Sequence, residues 1–434
     1  MNHKQIRKIF LSFFKRKKHK ILNSASLVAK KDSSLMFTNA GMNIFQAFFI
    51  GQKKSQYSRI ANFQKCLRIT GKHNDLFEVG KDTYHHTMFE MLGNWSFGDY
   101  FKKESINWAW ELLTEVYKMD KSNIYVTIFK GNKEDKLSFD SESFQYWKNK
   151  IDDSKILFFD KKHNFWEMGK TGPCGTCTEI HVDLRNEKEK LQIPGKNLVN
   201  KKHPLVIELW NIVFIQFFRK SDGTLVKLPN FHIDTGMGFE RLCMILQNKK
   251  STYDTDIFTY LIKSIAQKTD QIYGVTDKID IAIRIIADHM RSVVFAISDG
   301  IIPSNKKYGY VIRKILRRII VTYYLTLKIN KPFLFKLVNP ILCYMKHSYL
   351  KKSNTSLKYD ISTIILREEK LFLKTINLGS YKLEKIIEEL RAKKCNIIAG
   401  KIIYWLYDTY GLPIEISKLI TNKNKIKVFS YDSL

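Results

Sequence analysis

The alternation of apolar and polar positions changes character part-way along the chain. Ile6–Phe14 places apolar residues at helical spacing and predicts a short amphipathic helix, and Glu104–Tyr117 repeats the pattern with aromatic residues in the stripe. Ser34–Thr38, Arg59–Thr70 and Ile124–Phe129 predict strands. Val206–Phe218 is a nearly continuous β-branched and aromatic run, the pattern of a strand in a buried sheet. After Lys249 the strand signals fade. Tyr253–Ala266, Ile279–Ser298, Tyr310–Leu327, Tyr359–Asn377 and Lys382–Lys393 carry helical periodicity, with a polar linker expected over Lys351–Ser356. No internal repeat is visible. The expected fold class is α+β: a mixed domain over residues 1–249, then an all-helical domain over 250–434.

Composition narrows the class. The 434 residues are 44% hydrophobic and 13% aromatic, which excludes a largely disordered chain. No apolar run approaches the roughly 18 residues of a membrane span. The apolar stretch Ile9–Phe14 is too short for a secretory core and leads straight into Lys15–Lys18. A soluble, cytoplasmic protein with no membrane partner is expected. Lys and Arg number 73 against 42 Asp and Glu, a net charge of +31 that would suit a polyanion. The abundance of Lys, Ile, Asn, Phe and Tyr beside scarce Gly and Pro also fits A+T-biased codons, so charge alone says only that nucleic acid is compatible. The six cysteines are sparse. Only Cys174 and Cys177 form a Cys-x-x-Cys pair, and its setting, Gly172-Pro173-Cys174-Gly175-Thr176-Cys177, predicts a tight turn rather than a zinc or redox site.

Candidate chemistry clusters in four places. Arg59–Thr70 leads through Gly71 and Lys72 into a segment beginning at His85, a strand-loop-strand that would present Arg68, Lys72 and His86 to phosphate groups. Taken singly, Arg68 reads as a salt-bridged strand residue and His86 as a hydrogen-bonded structural histidine. Asn164–Gly169 with Glu179–His181 forms the second cluster, and Glu208–Phe214 the third. In the fourth, Ile233–Arg241, a strand ends in a glycine turn that opens a helix, whose N–H groups would suit an anion. Asp234 beside it is equally a helix cap or a ligand residue.

Together, in order and spacing, these clusters resemble the alanyl-tRNA synthetases. The resemblance rests on FTNAGMN (Phe37–Asn43), QKCLRITGKHNDL (Gln64–Leu76), HHTMFEMLGNWSFGDYFK (His85–Lys102), NFWEMGKTGPCGTCTEI (Asn164–Ile180), WNIVFIQF (Trp210–Phe217) and DTGMGFER (Asp234–Arg241). It continues through DHMRSVVFAISDGIIPSN (Asp288–Asn305), GYVIRKILRR (Gly309–Arg318) and LYDTYGLP (Leu406–Pro413).

The resemblance implies a class II catalytic core, an antiparallel sheet flanked by helices, with a helical tRNA-recognition domain behind it in sequence. It implies an alanine–tRNA ligase that joins alanine to ATP and passes it to tRNA(Ala), with Mg²⁺ arriving on ATP. The alternative is a non-catalytic tRNA-binding relative of the same fold. By motif position, Arg68 and Arg241 are the catalytic candidates. Arg68, His86, Trp166, Leu209, Trp210, Asn211 and Gly238 match the ATP site; Asn211, Val213 and Asp234 match the alanine site; Asn305, Arg313 and Asp408 match tRNA-binding positions, with Lys314, Arg317 and Arg318 beside them. No metal ligand is assigned. The family's PSN-E-G-R-G-Y run reads here PSN-K-K-Y-G-Y, so Lys306, Lys307 and Tyr308 depart from it. Ala29 and Ser33 stand where prolines are common, and Thr176 replaces a proline. Typical members continue into a zinc-dependent editing domain and a C-terminal dimerising domain. This sequence lacks both, so no zinc site, a monomer and readier mischarging with serine or glycine are expected.

Overall fold

The computed structural model describes residues 1–29, 35–70, 73–346, 349 and 355–429. Ser33, Gly71, Lys72, the first residue of the expected Ser34–Thr38 strand and most of the expected linker lie outside them. The described residues fall into two units, one of residues 1–78 and 82–259, the other of 79–81 and 260 onwards.

The first unit is built on a sheet whose strands are β1 (Lys20–Ile21), β2 (Arg59–Leu67), β3 (Met88–Phe97), β4 (Ile124–Phe129), β5 (Ile156–Phe159), β6 (Phe165–Glu167), β7 (Gly172–Asp183), β8 (Val206–Arg219) and β9 (Leu225–Gly238). Their spatial order is β1-β2-β3-β9-β8-β7-β4-β5, with β6 paired to β7. The centre is antiparallel, and β1–β2 and β4–β5 add a parallel pair at each end. Local chemistry explains the difference: β8 and β9 are joined by a short turn, whereas β4 reaches β5 through a helix over Ser141–Lys148, as a parallel crossover requires. The continuous apolar run of β8 is the run of a strand flanked on both sides, with Ile212, Phe214 and Ile215 fully buried.

Around the sheet lie α1 (His3–Arg16), α2 (Lys102–Trp110) and α3 (Phe239–Leu246). Asn2 caps α1 through the Gln5 N–H, and the helix buries Phe10, Phe13 and Phe14. Arg7 pairs with the buried Glu90 of β3 at 2.6 Å. The expected helix over Glu104–Tyr117 is α2 continued by a π-helical stretch, Glu111–Val116.

The Gly172–Cys177 run corrects the expectation of a turn, for it opens β7. Gly175 is there for proximity: a Cβ on it would lie 1.8 Å from the Phe214 carbonyl oxygen of β8. Three residues apart on a strand, the two cysteines point to opposite faces. Cys174 packs with Phe129 and Phe165, and Cys177 with Trp95 and Val213. Burial pushes the Cys177 thiol well above its ordinary range and that of Cys174 up to about 12, so both are packing residues. Thr176, at the position of the missing proline, donates to Asp140 at 3.2 Å.

The second unit is helical, with α4 (Asp277–Ser298), α5 (Lys307–Thr322), α6 (Thr355–Ala392), α7 (Gly400–Tyr410) and α8 (Ile414–Lys423). α6 joins two segments expected to be separate. Gly379 does not break it, because that glycine admits Leu412, whose Cβ a glycine-to-alanine methyl would approach to 2.7 Å. Two three-residue strands, Ile397–Ala399 and Lys427–Phe429, pair in parallel and are too short to leave a periodic signal. No helix among the described residues is long and apolar enough to cross a membrane.

Candidate active site

The sheet carries an open cavity of about 130 Å³ on one face. Arg68, His86, Trp166, Leu209, Asn211, Val213, Asp234, Gly238 and Arg241 all line it, although they come from segments up to 173 positions apart.

Arg68 directly follows β2, and its N–H donates to the Thr87 carbonyl at 2.8 Å. Its side chain crosses the Phe89 ring, 4.9 Å from the centroid, and its Nε donates to the Asn39 carbonyl at 3.1 Å. No described carboxylate forms an ion pair with it, so the salt-bridged reading is corrected: the guanidinium lines the cavity instead. Arg241, in the first turn of α3, donates to the Glu208 carbonyl at 2.6 Å and stacks on the Tyr84 ring at 4.7 Å. The cavity therefore holds two guanidiniums, each steadied by an aromatic ring.

Asp234 is the acidic counterpart. It lies on β9, its register partner on β8 is Val213, and it is 7% exposed. Its Oδ1 accepts from Trp95 Nε1 at 2.7 Å. Burial pushes the carboxyl up to about 7, while the Trp95 hydrogen bond opposes the shift. The capping alternative is closed, because Gly238 is the residue at the N-terminus of α3 and Asp234 sits inside the strand. The expected glycine turn is also absent. β9 runs directly into α3, and Gly236 makes room for Met91, whose Sδ would lie 2.8 Å from an added Cβ.

β8 supplies the floor. Between Glu208 and Trp210 its register against β7 slips by one residue, a bulge at Leu209. The bulge lets Glu208 and Leu209 both line the cavity, followed by Asn211 and Val213. Trp210 corrects its assignment: its side chain packs against Phe10 and Phe14 on the other side, at 6.3 and 6.4 Å between centroids. His86 reaches the cavity as a well-held wall residue. Its Nε2 bonds Thr252 Oγ1 at 2.8 Å, and its ring stacks on Phe258 at 4.8 Å.

The sequence missed several lining residues. Tyr84 adjoins the motif that was read, His85 and Phe89 lie within it without having been singled out, and His85 is tied to Asp82. Glu240 accepts the Glu90 N–H with both oxygens at 3.1 Å. A signal existed for Tyr84 and His85, the aromatic and basic run just before His86, but nothing in it showed which would face inwards.

In the second unit, Asn305 and Asp408 are exposed. Arg313 is engaged by Glu368 at 2.8 and 2.9 Å and reaches the Pro303 carbonyl, so its fork braces the segment leading to Asn305. Lys307 has φ 45°, a left-handed conformation that favours glycine.

A family model described as tRNA synthetases class II (A) matches residues 5–432. With that match spanning nearly the whole chain, it belongs to the class II tRNA synthetase family. The particular relatives are proteins named alanine–tRNA ligase. One from Cytophaga hutchinsonii is 53% identical over 429 residues, covering 99% of this chain and 49% of the relative. One from Christiangramia forsetii is 51% identical over 426 residues, covering 98% and 48%. The chain thus spans about half the length of the curated relatives it matches. Among solved structures, a histidyl-tRNA synthetase from S. aureus aligns with 61% of this chain and 75% of its own, at 10% identity and a TM-score of 0.34.

Proposed function

We propose that this chain activates L-alanine with ATP and transfers it to the 3′ end of tRNA(Ala). The observation that carries the reading is one cavity holding a guanidinium with no carboxylate partner among the described residues, Arg68, and a buried carboxylate, Asp234. The two charges match the two ends of the reaction: a phosphate that becomes pentacoordinate and an ammonium that must be held still.

In this reading an oxygen of the alanine carboxylate attacks the α-phosphorus, the phosphoanhydride bond breaks, and pyrophosphate leaves. Arg68 stabilises the charge that builds on the α-phosphate, and Arg241 meets the distal phosphates. Trp166, Leu209, Asn211, His86 and Gly238 form the nucleotide's walls, with Trp210 contributing through its backbone. Asp234 and Asn211 hold the ammonium, and Val213 closes on the methyl group. Mg²⁺ enters as part of the substrate MgATP and screens the phosphate charge. A hydroxyl of the terminal adenosine then attacks the acyl carbon and AMP leaves. That step asks for positioning rather than a protein nucleophile. Asn305 and Asp408 read the acceptor stem in this proposal, a role their exposure supports, with Arg313 as the brace behind Asn305.

Alanine-dependent exchange of labelled pyrophosphate into ATP tests the reading without tRNA. Exchange is expected, and Arg68→Ala should lower its kcat/KM by about 10²–10³-fold. A purified chain that binds tRNA(Ala) yet never exchanges pyrophosphate would replace this reading with that of a non-catalytic relative.

A further inference from the structure

Glu179 is a buried carboxylate to which the proposed chemistry assigns nothing. It lies on β7 as the register partner of Asn211 on β8 and is 6% exposed. One of its oxygens accepts from His181 Nε2 at 3.0 Å, Thr127 Oγ1 at 3.3 Å and Asn200 Nδ2 at 3.3 Å. The other accepts from Asn211 Nδ2 at 3.4 Å. With its nitrogen so engaged, Asn211 is left with Oδ1, which is buried and has no hydrogen-bond partner among the described residues.

An asparagine amide presents either a donor or an acceptor, depending on which way it is turned. Turned over, Asn211 would set its carbonyl oxygen against the Glu179 carboxylate, acceptor against acceptor. The carboxylate therefore fixes the turn and polarises the amide, adding negative charge at Oδ1. We infer that Glu179 is a positioning residue, one that aims the Asn211 carbonyl at the substrate's ammonium so that the subsite offers two acceptors, Asn211 and Asp234. This rests on the activation of alanine proposed above. It makes specificity for a protonated amine depend on a side chain of the neighbouring strand that is not itself among the cavity's lining residues.

The test is a double-mutant cycle on the alanine KM in pyrophosphate exchange. Asn211→Asp alone is expected to raise that KM about 10-fold or more, although it adds negative charge to a site for a cation, because a second carboxylate cannot face Glu179. Glu179→Gln alone also raises it, since the amide turn is no longer dictated. Combining E179Q with N211D should return the KM to within about 2-fold of the wild type, because the new glutamine amide donates to the new carboxylate and leaves one oxygen for the ammonium.

Tighter or unchanged alanine binding in N211D, or a double variant whose defect is the product of the two singles, overturns the inference. If E179Q fails to give a cooperative thermal melt, N211D against the wild type still decides. Absence of exchange in the wild type would instead overturn the functional reading.

Discussion

At the scale of single residues, Asp234 shows how a site can oppose the fold that carries it. Its carboxyl ordinarily titrates near 3.8 and is pushed up to about 7 by burial. Between those values the native protein holds a proton that the unfolded chain has lost, so stability falls as pH rises from 4 to 7 and stays lowered above. Asp234→Asn keeps an oxygen for Trp95 and removes the buried charge. The unfolding free energy from urea denaturation at pH 8 should therefore rise, by at most about 4 kcal/mol, while alanine-dependent exchange is expected to be lost. On the proposed function, the same linkage should make alanine bind more weakly below pH 7, where Asp234 is protonated. Lys307 is strained in a different way. It holds φ 45° where the resembling family has glycine, and Lys307→Gly should stabilise the helical unit by about 1 kcal/mol in a thermal melt. Asp234 and Arg68 were legible as chemistry because their types and order match a motif. The fine placement of Tyr84, Glu240 and Glu179 was not, since it depends on which strands become neighbours.

At the scale of elements, the strongly periodic segments were readable and the short or interrupted ones were not. The β8 run announces itself because both its faces are covered. β7 was hidden by its glycines and proline, which look like a turn until β8 is laid beside it. Gly175→Ala puts that reading to a direct test. With 1.8 Å between the new Cβ and a backbone oxygen, β7 and β8 must separate, and a loss of more than about 3 kcal/mol is expected in urea denaturation, enough to prevent folding. α6 was read as two helices, Tyr359–Asn377 and Lys382–Lys393; Gly379 lies between them, and its purpose, admitting Leu412, is visible only once the chain has returned.

At the scale of the molecule, the net charge of +31 should weigh differently on the two half-reactions of the proposed function. Alanine activation involves only small ligands, whereas transfer requires a polyanion whose counterions must be released. Raising salt from about 50 to 200 mM should lower kcat/KM for tRNA charging by about 10³-fold or more and barely change pyrophosphate exchange. Parallel salt profiles for the two assays would show that the excess charge has no part in binding tRNA. The bulge in β8 carries a different lesson. Leu209 is surplus to the ladder: remove it, and Glu208 and Trp210 would still meet His181 and Ile180 in ordinary succession. A shortened strand should thus assemble the same barrier of hydrogen bonds yet present a cavity without its ledge. Shape and catalysis would part company over one amino acid that the architecture never needed.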